Sequence, residues 1–398
     1  MTESPRQISA LTARMRAAEF DIRNVFTRWG YEEIMTSALV DYEIFRKSYA
    51  TSEAQTYKLI GEDGRILVLK PDMTTPIAQL AATQWQDVAR PLRVAYFTRL
   101  FRRGADNDTR SRELFQAGVE LIGDDNPQGD AEMIALAAQA LAEAGLVEVQ
   151  INVGHNGLLQ AITDALGLGE PEKERLRKAL QQRDIVRAQT LLSMADTDQG
   201  TEALAELLLP FGNGIESPDA QLERLRSFNI DHGLLDEMGQ TFACLRASQP
   251  GQEVRLDLSL VRNLNYYTGV VFEIYCPLTG RRIGGGGRYD DLIGTFGGRE
   301  PATGVALDLK TVARSLARQS GSQGLDEPCG TLVVGGRDHM VALWDRARAL
   351  RDQGQRAVVH LLDPPCDRSV VQKMAKNMGF DHVEFLGAEG VDVDEEES

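Results

Sequence analysis

The sequence predicts an α+β chain: a largely antiparallel sheet flanked by helices, with a helical insertion and a small C-terminal α/β domain. Three observations lead there. Strand-like runs succeed one another without a regular strand-helix-strand beat, which favours antiparallel pairing. Between about Pro171 and Gln249 the texture changes to helix formers. From Pro328 onward a β-α-β-α-β beat sets in, the pattern of a small parallel sheet.

Taken in chain order, Ile8, Leu11, Met15, Ala18, Ile22, Val25 and Trp29 recur at steps of three and four and form one stripe on a helix that Gly30 ends. The stripe suits a core-facing helix or a subunit interface. Strand patterns follow at RILVLKP (65 to 71), LRVAYFTRLFRR (92 to 103), LFQAGVELIG (114 to 123) and VEVQINVG (147 to 154), with a helix, AEMIALAAQALAEAG, between the last two. The insertion (about 171–249) holds ERLRKALQQRDIVRAQTLLSM and AQLERLRSF. Strand character returns with VRLDLSLV (254 to 261), with Tyr266 to Ile274, and with TGVALDL (303 to 309). A linker, RQSGSQGLDEP, then separates a core spanning 1–320 from a small domain over 328–390 and an acidic tail, 391–398.

Composition narrows the function. A chain of 398 residues is long enough for two domains, and 42% hydrophobic content supplies a core. A formal charge of −16 disfavours nucleic acid and anionic membrane surfaces as partners. No apolar run reaches the ~18 to 20 residues of a membrane helix, so a cytoplasmic protein is expected. Cys244, Cys276, Cys329 and Cys366 lie too far apart in sequence for a zinc or redox motif and read as reduced thiols. No HExxH, GxSxG or close histidine pair occurs, so neither metal hydrolysis nor serine-nucleophile chemistry is indicated.

Candidate site residues come from places where the sequence departs from what folding needs. Period two puts Gln116 and Glu120 on one face of a strand with Gly118 between them. That pattern suits a ligand lying on bare backbone, or a solvent-facing strand side with a glycine bulge. Asp72, in KPDMTTP, either caps a helix or offers a carboxylate to an ammonium group. Arg262 and Asn265 sit at the approach to a strand, where a sheet gains nothing from them. IGGGGRYDDLIG (283 to 294) marks a chain passing very close to something, yet it is neither a Rossmann fingerprint, since Tyr289 stands where the third glycine should, nor a P-loop.

In order, KPDMT, TRLFRRG, FQAGVELIG, LVRNLNYYTGVVFE and GGGGRYDDLIG resemble the histidyl-tRNA synthetases, a class II aminoacyl-tRNA synthetase family, over roughly residues 6 to 315. The resemblance is closer to their non-catalytic paralogues, the regulatory subunits of ATP phosphoribosyltransferase, where PDMT replaces the PEGT favoured by synthetases. It implies the class II antiparallel sheet, a homodimer through the region of the N-terminal helix and GYEEI, and a histidine pocket built from Asp72, Thr74, Arg102, Gln116, Glu120, Arg262, Tyr266 and Tyr267. Arg262 would face the ligand's carboxylate; Glu120, Gln116 and the tyrosines its amine and imidazole.

The departures from the synthetase pattern bear on catalysis. The FRxE motif is Phe101-Arg102-Arg103-Gly104 here, and the arginine that ends the third motif is Thr311, in Asp308-Leu309-Lys310-Thr311. Losing a charge-assisted arginine contact removes ~2 to 5 kcal/mol of nucleotide affinity. Asn265 stands where an aspartate is usual, and Ser37 where the first class II motif has proline. The C-terminal segment resembles a shortened anticodon-binding domain, but from Pro328 it holds 8 Lys plus Arg against 13 Asp plus Glu, a net of 8 − 13 = −5 that suits tRNA poorly. The resemblance thus implies a subunit with no catalytic residue, metal or cofactor of its own. It would pair with a short-form ATP phosphoribosyltransferase catalytic subunit as a hetero-octamer, in the first step of histidine biosynthesis, with L-histidine as effector. The rival readings are a divergent active histidyl-tRNA synthetase and an amino-acid adenylating enzyme serving another acceptor.

Overall fold

Helix α1 (Pro5–Arg28) leads into strands β1 (Glu32–Glu33) and β2 (Leu39–Asp41), helix α2 (Tyr42–Ser48) and strands β3 (Tyr57–Ile60) and β4 (Ile66–Leu69). Then come α3 (Thr74–Thr83), the long strands β5 (Leu92–Phe101) and β6 (Glu113–Ile122), α4 (Pro127–Glu143) and β7 (Gln150–His155). The helical insertion runs through α5 (Asn156–Ala165), α6 (Glu170–Gln181), α7 (Ile185–Leu192), α8 (Gln199–Leu207), α9 (Pro218–Arg226) and α10 (His232–Ser248). The chain returns through β8 (Glu253–Leu256), β9 (Val270–Cys276), β10 (Arg281–Arg288), β11 (Ala302–Asp308) and α11 (Leu309–Gln319). It closes with β12 (Thr331–Gly335), α12 (Met340–Asp352), β13 (Ala357–Leu361), α13 (Arg368–Met378), β14 (His382–Gly387) and β15 (Gly390–Val393). This computed structural model describes residues 5–48, 56–103, 112–193, 199–208, 216–228, 230–248, 251, 253–262, 266–321, 330–362, 367–387 and 390–393. Gly104, Asn265, Cys329, Cys366, the linker from 322 to 328 and the tail from 394 lie outside the described residues.

The chain divides into two compact units, Arg14–Gln319 and Ser320–Ser398 taken with Met1–Ala13. In the first, an eight-stranded sheet has the order β1-β5-β6-β11-β10-β9-β7-β8. Its six central strands are antiparallel, as expected; the edge pairs β1–β5 and β7–β8 are parallel. On one face α3 packs Met73, Ile77 and Ala81 against Tyr96, Leu100 and Ile122. On the other face α4 is pinned by a buried ion pair, Arg288 Nε to Asp130 Oδ2 at 2.9 Å, and Arg288 also donates to the carbonyls of Asp124 and Asn126. In the C-terminal unit β13-β12-β14 is parallel, with β15 antiparallel to β14. Alternate residues of β12 bury Leu332 and Val334 against α13 and Val333 against α12, which makes three layers.

Several boundaries differ from the sequence reading for physical reasons. The strand expected from Tyr266 begins at Val270, because Thr268 N–H and Asn156 Nδ2 bond across the preceding loop, to the carbonyls of Arg288 and Tyr267. The strand expected from Val147 begins at Gln150, since the Val147 N–H goes to Gln319 Oε1 at 3.0 Å. β8 stops at Leu256, where Asp257 accepts the Ser259 N–H and turns the chain. The helical region starts at Asn156, ahead of Pro171. Of the small sheet β2-β4-β3 only β4 was legible, as RILVLKP, and β15 runs from Gly390 into the stretch read as acidic tail. Of the α1 stripe, Met15, Ala18, Ile22 and Val25 are buried, whereas Ile8 is half exposed. Cys276 is buried and Cys244 half-buried, both as free thiols. Among the described residues no helix is long and apolar enough to cross a membrane.

Candidate functional site

Period two holds along β6: its pairing with β5 and β11 is continuous, with no bulge, so Gln116, Gly118 and Glu120 share a face. Paired residues on neighbouring strands point the same way. One row across the sheet therefore reads Val94, Glu120, Gly304, Gly287, Val271, and the next Tyr96, Gly118, Ala306, Gly285, Glu273. Glycine and alanine dominate the middle of both rows. The bare backbone is nonetheless occupied, by the protein's own side chains rather than left as a floor for a ligand. A Cβ on Gly118 would overlap the Tyr96 hydroxyl, one on Gly304 the Glu120 carboxylate, and one on Gly285 the Arg262 guanidinium. One on Gly287 would press on the Tyr267 ring at 3.0 Å. The close approach read from the glycine run is thus the seating of pocket side chains.

Glu120 is 2% exposed, and both its oxygens accept hydroxyl hydrogen bonds, Oε1 from Thr74 at 2.8 Å and Oε2 from Tyr289 at 2.6 Å. No arginine or lysine within the described residues forms an ion pair with it. Burial pushes its carboxyl up to about 8, against the pull of those two hydrogen bonds and with Asp72 pushing the same way. Asp72 is buried, and its Oδ1 accepts the Thr75 N–H at 2.8 Å, which is the helix-cap reading. Arg102 donates through Nε to the Pro71 carbonyl at 2.8 Å, beside Asp72. Tyr266 packs on Tyr267 and, edge-on, on Tyr289, with ring centroids 4.8 and 5.7 Å apart. Arg262 Nη1 donates to the carbonyls of Phe272 at 2.9 Å and Gly286 at 3.4 Å, and its guanidinium lies 5.2 Å from the Tyr267 ring centre. Gln116 is half-buried at the end of the same face, paired with Thr98 and Asp308.

Asp72, Thr74, Glu120, Tyr266, Tyr267 and Arg262 are therefore brought together through shared seats and bonds, with Arg102 and Gln116 at the margins. Two members escaped sequence reading. Tyr289 is buried with its hydroxyl on Glu120, yet the sequence marks it only as the residue that breaks a glycine fingerprint. Tyr96 covers Gly118, and the available signal was the mid-strand glycine itself, which implies a large neighbour. On the other side of the site Thr311 is buried and donates Oγ1 to Asp308 Oδ2 at 3.0 Å, while Asp308 Oδ1 accepts the N–H groups of Lys310 and Thr311. Both residues are taken up by the start of α11.

This antiparallel sheet, with a cluster of acidic and tyrosine side chains on one face, is that of a histidyl-tRNA synthetase-like protein, and the family model described as histidyl-tRNA synthetase matches residues 8–312. A protein of Moorella thermoacetica named ATP phosphoribosyltransferase regulatory subunit is 36% identical over 351 residues, covering 87% of this chain and 88% of that one. The crystal structure titled ATP phosphoribosyltransferase regulatory subunit/histidyl-tRNA synthetase from Bacillus halodurans superposes with a TM-score of 0.77 at 29% identity, covering 97% of this chain and 96% of that one. The histidyl-tRNA synthetase of Nostoc shares the fold, with a TM-score of 0.74 at 20% identity over 94% of this chain and 88% of that one. The chain belongs to the ATP phosphoribosyltransferase regulatory subunit family.

Proposed function

We propose that this protein is a non-catalytic regulatory subunit that senses L-histidine in the pocket and reports it to an ATP phosphoribosyltransferase catalytic subunit. The observation that carries the reading is a contrast within one site. The amino-acid side is assembled, with Glu120, Tyr289, Thr74 and Arg262 on their seats, whereas the position of the nucleotide-gripping arginine is Thr311, folded into its own helix cap. Among the described residues the buried Glu120 carboxyl is met only by the Thr74 and Tyr289 hydroxyls, and the N–H of a cationic ligand would favour its ionised form. Arg262 has Nη1 on carbonyls, and among the described residues its other N–H groups have no hydrogen-bond acceptor, which suits an anion. In this reading the subunit is cytoplasmic and forms a homodimer within a hetero-octamer; exposed Phe20 and Met35 near α1 and β1 support such an interface.

The test is calorimetry of the isolated protein with L-histidine, beside an assay of histidine-dependent pyrophosphate exchange with ATP. Saturable binding without exchange is expected, and Glu120→Ala weakens binding by ~1 to 3 kcal/mol through an unpaired donor. Exchange at ~1 per second or faster would make the protein a synthetase instead.

A further inference from the structure

Arg183 brings a charge of the helical insertion to the sheet face that carries Glu120 and Arg262. Arg183, in the turn between α6 and α7, holds a left-handed backbone (φ 56°), a conformation more usual for glycine or asparagine. Its Nη1 lies 3.3 Å from Asp257 Oδ2 and its Nη2 3.5 Å from Glu273 Oε2. Glu273 is 7% exposed and also accepts Arg282 Nη1 at 2.8 Å and the Tyr275 hydroxyl. Glu273 pairs in register with Gly285, the seat of the Arg262 guanidinium, so the carboxylate and that guanidinium are neighbours on one face. Burial raises the Glu273 carboxyl, and the charges of Arg282 and then Arg262 more than offset this, so it stays ionised. One buried anion thus faces three arginines, two of which hold it by direct contact.

Building on the proposed histidine pocket, we infer that Arg183 is a positioning residue of the insertion: by occupying Glu273 it leaves Arg262 free to read the ligand's carboxylate. Were Arg183 withdrawn, Glu273 would have one cation fewer and would draw on Arg262, competing with the ligand for it. The insertion thereby sets how strongly the pocket holds an anion, and anion binding in turn changes how tightly the insertion is held.

Arg183→Gly tests this in the full-length protein, because glycine accepts the left-handed backbone and the side chain with its guanidinium is lost without backbone strain. By calorimetry, affinity for L-histidine is expected to fall about three- to tenfold, whereas histidinol, which lacks the carboxylate, binds unchanged. Adding Glu273→Gln to Arg183→Gly should restore histidine affinity. Equal losses for both ligands, no loss, or no restoration would overturn the inference and leave Arg183 a structural contact. If the unsubstituted protein binds neither compound, the pocket reading has failed, and the inference is then judged on the unliganded chain. There, a urea-unfolding cycle of Arg183→Gly with Arg262→Ala is expected to be non-additive by at least about twofold in the unfolding constant, and non-additivity should vanish with Glu273→Gln. Additivity would reject it.

Discussion

At the scale of single residues, Glu120 is the most consequential group. Its carboxyl is raised on folding from the ordinary range to about 8 by burial, so the native state holds a proton that the unfolded chain has released. For an acid raised in this way, the stabilising contribution is complete below the unfolded value and is lost as pH rises through the native one. Asp130, also raised by burial, is pushed only to about 6, so the interval between 6 and 8 isolates Glu120. Chemical denaturation across that interval is expected to show the unsubstituted protein losing on the order of 1 to 3 kcal/mol, with Glu120→Gln clearly flatter. Parallel pH profiles would mean that Glu120 is already ionised at pH 6. Glu120 was legible from period two, and Arg262 from being misplaced before a strand. Tyr289 was not, because its bond to Glu120 spans 169 positions and exists only once β6, β11 and β10 are in register.

At the scale of elements, the alternate glycines of β10, with those of β6 and β11, act as a set of sockets. The sequence reading recognised that four consecutive glycines signal close approach, but not what approaches; register across three strands decides that. Gly304→Ala would put a methyl group into the Glu120 carboxylate and within 2.8 Å of the Val119 carbonyl. A loss of ~1 to 3 kcal/mol in stability is expected from overpacking, together with loss of histidine binding. Retained binding, measured by calorimetry below the unfolding midpoint, would separate the socket from the pocket. On the face opposite Glu120, Asp130→Asn would take the buried counter-charge from the Arg288 guanidinium, leaving it two carbonyls and the more exposed Asp290 carboxylate at 3.4 Å. Urea titration should show a loss of ~2 to 4 kcal/mol, near the lower end for a broken buried pair. Long, strongly patterned elements such as β5, β6 and α4 were readable from periodicity alone. Of the small sheet only β4 was, since β2 is three residues long and β3 leaves Leu59 and Ile60 exposed.

At the scale of the whole molecule, the fold class follows from composition and beat, whereas the assembly does not. In a complex reconstituted with a catalytic subunit, rising L-histidine is expected to inhibit phosphoribosyl transfer, and Arg262→Ala to shift the inhibition curve to higher concentration. A coupling of ~1 to 3 kcal/mol corresponds to a 5- to 150-fold range for that shift. An unmoved curve would place the effector site on the catalytic subunit.

The cap at the start of α11 bears on which side chains position 311 accepts. Thr311 is sealed onto Asp308 and lies almost out of solvent. A threonine enters that corner with a hydroxyl that fits; an arginine returning to it would forfeit the bond and would need a path outward for its longer side chain. The corner is therefore asymmetric toward change: threonine keeps the bond to Asp308, whereas an arginine there would require the helix start to be rebuilt first.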